Sequence, residues 1–122
     1  MRKFLLLLSA LLLLSGCTAP EKEADSYRQI NMDEAVSLMQ EESGYIILDV
    51  RRPDEFAEKH IPGAVNIPNE TIGTGEIPAL PDKDQLILVY CRSGNRSKQA
   101  SEKLVALGYT NVVEFGGIID WT

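Results

Sequence analysis

Histidine and cysteine are scarce in this sequence: one of the first and two of the second among 122 residues. A zinc centre takes about four ligands, mostly of those two types. His60 has no histidine partner anywhere in the chain, so no metal site is expected and His60 reads as a packing or hydrogen-bonding residue. Positive charge is short as well. Twelve Lys and Arg stand against eighteen Asp and Glu, for a net charge of −6. A nucleic-acid surface asks for the opposite balance, so no nucleic-acid partner is expected. The acidic excess favours solubility and makes any local cluster of arginines more informative. Nor does any apolar run reach the ~20 residues of a membrane-spanning helix. Phe4 to Leu14, broken only by Ser9, falls short. No internal repeat is visible. The length suits one domain.

The beginning of the chain is informative. Met1-Arg2-Lys3 is a basic start, the apolar run follows, and Leu14-Ser15-Gly16-Cys17 places small residues before a cysteine. That order reads as an export signal. A buried core helix would show polar positions at helical spacing, and this run does not. Leu14-Ser15-Gly16-Cys17 resembles the lipobox of bacterial lipoproteins. The resemblance implies cleavage before Cys17 and acylation of that residue, hence an exported chain tied to a bacterial membrane at its periplasmic or extracytoplasmic face. Two or three acyl chains anchor firmly where one is marginal. The plainer alternatives for Cys17 are a free thiol or half of a disulfide. Losing Arg2 and Lys3 leaves ten basic against eighteen acidic residues, or −8. The expected organisation is a signal peptide over 1–16, a lipidated cysteine and polar tether over 17–29, and a folded domain over 30–122.

Within that domain, periodicity predicts alternating elements. Asn31 with Glu34 three residues on forms a capping-box pattern, and Ala35, Leu38 and Met39 share one helical face. Tyr45 to Val50 is a nearly continuous apolar run, suited to a strand buried on both faces of a parallel sheet. Pro53 suits the first turn of a short helix through Glu58. Ala64 to Ile67 is a short strand, and residues 71–84 are rich in loop formers. Leu86 to Tyr90 is the strongest strand signal. Ser97 to Leu107 reads as a helix and Asn111 to Phe115 as the last strand. Strands alternating with helices predict an α/β domain with a central, mainly parallel five-stranded sheet flanked by helices.

Cys91-Arg92-Ser93-Gly94-Asn95-Arg96-Ser97 links the strongest strand to a helix. Open α/β sheets bind ligands outside the carboxyl ends of their strands. The turn's N–H groups and the following helix N-terminus can converge on an anion. Gly94 lets the backbone bend into such a cradle, and Arg92 and Arg96 add positive charge. Each feature favours a thiolate at Cys91, the nucleophilic form of cysteine. The plain alternative is a small buried cysteine in an ordinary turn, which two arginines and a polar loop argue against. A nucleotide-binding P-loop does not fit, because the glycine-lysine pair is missing.

This segment resembles the active-site loop of rhodanese domains. Three more stretches resemble that family in the same order: Leu48-Asp49-Val50-Arg51, then Glu58 to Pro68 (EKHIPGAVNIP), then Gly116 to Trp121 (GGIIDW). The resemblance spans Ile30 to Trp121. It implies a sulfurtransferase in which Cys91 takes a sulfane sulfur from a small anionic donor such as thiosulfate. The resulting persulfide passes its sulfur to cyanide or a thiol acceptor, with no metal or organic cofactor. Arg92, Ser93, Gly94, Asn95 and Arg96 would hold the donor. Arg92 and Arg96 would supply the charge. Of the two, Arg96 closes the loop and is expected to count for more, because Arg92 can point to solvent. Asp49 and Arg51 would support the fold as a buried ion pair, and Trp121 would cover the sheet. Four residues separate Cys91 from Arg96; phosphatases related to the family have five, which makes room for a tetrahedral phosphate. The alternatives are a binding module without turnover and a phosphatase or arsenate reductase.

Overall fold

Ile87-Leu88-Val89-Tyr90-Cys91 is buried along its whole length, and the rest of the domain is arranged around it. The computed structural model describes residues 26–73 and 75–121; the expectations for the export signal and Cys17 lie outside them. The strands are β1 (Arg28–Gln29), β2 (Ile46–Asp49), β3 (Val65–Asn66), β4 (Ile87–Cys91) and β5 (Val112–Gly117). The helices are α1 (Met32–Glu41), α2 (Pro53–Glu58) and α3 (Asn95–Ala106). Single 3-10 turns occupy Asn69–Thr71 and Ile118–Asp120. The sheet runs β1-β5-β4-β2-β3, and every pairing is parallel. The five-stranded α/β expectation holds.

Side chains alternating along β4 divide the core in two. Ile87, Val89 and Cys91 pack with Ala100, Leu104 and Tyr109 on the α3 side. Leu88 and Tyr90 pack with Ala35, Ile47, Ile61 and Phe115 on the other, where Trp121 lies half-buried. A strand covered on both faces needs apolar residues at every position, which is why this stretch was legible in the sequence. The capping box at α1 also forms: Glu34 N donates to Asn31 Oδ1 at 2.8 Å and Asn31 N to Glu34 Oε1 at 2.9 Å.

Several element limits shift from the sequence reading, β5 running on through Gly116 and Gly117 among them, and two of the differences bear on the site. Arg28 and Gln29, assigned to the tether, form β1 and pair with Val113 and Glu114. Their side chains are exposed, so no apolar alternation marks the strand, and its backbone partners lie far along the chain. The other difference is at α3, which begins at Asn95 rather than Ser97, because Gly94 already occupies its N-cap position.

Parallel pairing places all carboxyl ends on one edge. Asp49 lies opposite Tyr90, and Cys91 lies opposite Gly117 across a register shift after Val89.

Candidate active site

Cys91 ends β4, and only Arg92, Ser93 and Gly94 separate it from α3. Gly94 makes so tight a connection possible: its φ of 113° lies in the left-handed region, which costs glycine little. That turn aims Gly94 N at Cys91 Sγ, 3.0 Å away. The first helical bond of α3 is Lys98 N to Gly94 O at 3.3 Å, so the N–H groups ahead of it have no helical acceptor. With the positive end of the helix dipole they form a place for an anion beside the sulfur. Cys91 is only 1% exposed, leaving the sulfur at the floor of this cradle.

Gly117 holds the cradle from below for a steric reason. A Cβ there would lie 2.0 Å from Arg92 O and 2.5 Å from Ser93 Cα. The loop backbone therefore rests directly on the end of β5, and Ile119 N donates to Arg92 O at 3.3 Å. The glycine pair quoted from the closing stretch thus serves the cysteine loop.

The two arginines divide their roles. Arg96 forks onto Glu55 of α2, with Nη1 to Oε1 at 2.8 Å and Nη2 to Oε2 at 3.2 Å. The Arg96 guanidinium holds the Glu55 carboxyl down to about 2. Glu55 raises the Arg96 pKa in return, and the Cys91 sulfur also contributes. The charge of Arg96 is therefore largely balanced within the protein, and its geometric role is to pin the start of α3 to α2. Arg92 is exposed, as expected, and makes no salt bridge among the described residues. It does not simply face bulk water: with Arg51, Glu55, Glu58, Lys59, Ile118 and Ile119 it lines a cleft of about 420 Å³. Ser93 and Asn95 are exposed, so what they offer an anion is backbone N–H.

Asp49 and Arg51 form the buried pair read from the sequence. Asp49 Oδ1 accepts Arg51 N at 2.9 Å, and Oδ2 accepts Arg51 Nη2 at 2.7 Å and Tyr90 Oη at 2.6 Å. Burial pushes the Tyr90 hydroxyl up, and its bond to Asp49 adds to the effect, so it stays a donor. Tyr90 precedes Cys91, so this network ties β4 to β2 directly under the nucleophile. Tyr90 Oη also accepts Ile61 N at 3.1 Å, which brings in the segment before β3. His60 is exposed, stacked on Phe56 at 3.8 Å, with Nδ1 2.8 Å from Phe56 O. Among the described residues no group of three potential ligands forms a metal site.

Sequence reasoning missed three residues. Glu55 resembles any exposed helix glutamate. Ser97 was read only as the end of the loop and the start of the helix. Glu114 carried a signal, a charge inside the apolar run Val112-Val113-Glu114-Phe115. It is 2% exposed, and its Oε2 accepts from Ser97 Oγ and from Gly116 N. Ser97 Oγ in turn lies 3.4 Å from Cys91 Sγ.

A buried strand-end cysteine, a glycine-bent loop and a helix N-terminus over a parallel sheet define an α/β domain with a cysteine anion cradle. The rhodanese-like domain model matches residues 32–122, and the chain belongs to that family. A second model, the prokaryotic membrane lipoprotein lipid attachment site, matches residues 1–18. The chain is 41% identical over 73 residues to the thiosulfate sulfurtransferase PspE of Escherichia coli strain K12, covering 60% of this chain and 70% of that protein. It is 42% identical over 79 residues to a sulfurtransferase of Allochromatium vinosum, covering 62% and 70%. Among solved structures, a rhodanese with anions from E. coli superposes with a TM-score of 0.58 at 39% identity, covering 62% of this chain and 89% of that one. No helix among the described residues is long and apolar enough to cross a membrane.

Proposed function

We propose that this protein is a lipid-anchored sulfurtransferase that moves a sulfane sulfur from thiosulfate, or a donor like it, to a thiophilic acceptor through a persulfide on Cys91. The observation that carries the reading is the 3.0 Å approach of Gly94 N to Cys91 Sγ at the head of α3, with four residues between Cys91 and Arg96. The names of the relatives support the same chemistry. The Cys91 thiolate attacks the outer sulfur of thiosulfate. A bond forms between the two sulfurs, the bond from the outer sulfur to the sulfonate breaks, and sulfite leaves with the electron pair. Cyanide then attacks the terminal sulfur, leaves as thiocyanate, and restores the thiolate. Three negative charges enter the first step and three leave it, so the protein's contribution is preorganised N–H groups and positive charge. The short loop and the buried position of the sulfur favour a slender donor over a phosphate ester.

Arg92 is the cation left to meet the donor in this reading, and Arg96 with Glu55 holds the loop in shape. Exposed charge pairs are worth about 1 kcal/mol or less. Arg92→Ala is therefore expected to raise KM for thiosulfate by up to roughly fivefold with little change in kcat, measured as thiocyanate formed by the full-length protein. An unchanged KM would leave anion binding to the backbone N–H groups alone. The matched attachment site supports acylation of Cys17 and placement on the outer side of a cytoplasmic membrane or in the periplasm. The expected result is recovery of the protein in the membrane fraction with an acylated N-terminal Cys17. A mature N-terminus at another residue would overturn the anchor.

A further inference from the structure

Ser97 Oγ has one proton and several acceptors in reach. Glu114 Oε2 is the nearest, Gly94 O lies at 3.0 Å and Gly116 O at 3.4 Å. An ionised carboxylate is the strongest acceptor of the three, so the proton goes to Glu114. A lone pair of Ser97 Oγ is then free to accept from the Cys91 thiol at 3.4 Å. Ser97 is fully buried and Glu114 nearly so. Gln29 Nε2 and Gly116 N donate to the two Glu114 oxygens at 3.2 and 2.9 Å, which fixes the carboxylate in place.

We propose that Glu114, acting through Ser97, is the internal proton acceptor of Cys91. The inference rests on the reading of Cys91 as the nucleophile. In the resting arrangement the thiol donates to Ser97 Oγ and the serine hydroxyl to Glu114 Oε2. Activation breaks the S–H bond and forms a new O–H bond at Ser97, while the original Ser97 proton passes to Glu114 Oε2. The products are a thiolate, a neutral serine and a neutral carboxylic acid. Net charge stays at −1, and nothing enters from solvent. The new arrangement is also fully bonded, with Glu114 donating to Ser97 and Ser97 to the thiolate. Two negative charges one hydroxyl apart in a buried site are costly, and the shift avoids them. Glu114 is thus a positioning residue for a proton, while Ser97 touches the reacting sulfur.

The other titratable groups facing the pair lie outside its range. Tyr27, ahead of β1, has its phenol raised by burial and then by Glu102 and Glu114. Arg96 from α3 is raised by Glu55, and Arg92 in the loop is an arginine, charged throughout. The pair can hold two exchangeable protons besides that of Ser97, and the test counts their loss.

The test is the rate of iodoacetamide alkylation against pH, read by mass spectrometry on the peptide containing Cys91 from the full-length protein. Wild type is expected to gain reactivity at acid pH, hold a plateau through neutrality, and rise again when the second proton leaves. Glu114→Gln and Ser97→Ala are each expected to lose the acid step, leaving alkylation at acid pH slower by about tenfold, one pH unit's worth of ionisation. Ser97→Thr, which keeps the hydroxyl, is expected to keep both steps. A single step in wild type, or two steps in Glu114→Gln, overturns the proposal. Should Glu114→Gln not fold, wild type and the two Ser97 variants still decide it. Alkylation uses no sulfur donor. A two-step profile without thiosulfate turnover upholds the proton acceptor and overturns the sulfurtransferase reading alone, and turnover beside a one-step profile does the reverse.

Discussion

Cys91→Ser is expected to reduce thiosulfate-to-cyanide transfer to the background rate while leaving the fold in place. The thiolate is the nucleophile in this chemistry, and a serine hydroxyl at the same position does not ionise near neutral pH. Wild-type protein incubated with thiosulfate should gain ~32 Da, one sulfur, on the Cys91 peptide in mass spectrometry, and the serine variant should gain nothing, as covalent catalysis requires. The fold should tolerate the change, because Gly94 N, now 3.0 Å from the sulfur, can donate to a hydroxyl instead. Circular dichroism and thermal unfolding of the two proteins should therefore agree closely. Turnover that survives in Cys91→Ser would sink the persulfide mechanism.

Gly117→Ala is expected to damage both stability and activity, for a reason found nowhere near the cysteine in sequence. The added methyl would meet Arg92 O at 2.0 Å, Arg92 C at 2.4 Å and Ser93 Cα at 2.5 Å. These are backbone or Cα atoms, so no side-chain rotation relieves the clash. Overpacking of this kind costs about 1–3 kcal/mol, occasionally more. For a domain of this size each kcal/mol lowers Tm by roughly 4–8 °C. The loop must lift away from β5 and carry its N–H groups with it. A misplacement of about 1 Å can cost ~100-fold in rate, so kcat/KM for thiosulfate should fall by that order even in protein that remains folded. Calorimetry and thiocyanate kinetics on the variant measure the two effects separately. Unchanged values of both would mean that the loop does not rest on Gly117.

Much of the domain was legible because it follows local rules. Asn31 and Glu34 cap a helix from three residues apart. Leu86 to Tyr90 is apolar at consecutive positions, and only a strand covered on both faces asks for that. The loop after it showed its role through residue types alone: a cysteine, two arginines and a glycine in six positions. β1 was not legible, because its two residues are exposed and polar, and their partners, Val113 and Glu114 of β5, lie far along the chain. The role of Arg96 was also out of reach. Its partner Glu55 lies 41 residues away, on a helix whose own sequence is ordinary.

The sequence by itself determined the alternation of strands and helices, the place of Cys91 at the end of the most buried strand, and the four-residue spacing to Arg96. These depend on periodicity and spacing, which short-range geometry converts directly into structure. The tertiary structure alone decided what surrounds the sulfur. The strand order β1-β5-β4-β2-β3 seats β5 beside β4, which brings Glu114 under Ser97 and Gly117 under Arg92. The same sheet lets α2 present Glu55 to Arg96, taking up that charge and leaving Arg92 at the cleft. Electrostatic and steric contacts act through space between groups that chain separation keeps apart until the sheet has formed, so no local pattern encodes them.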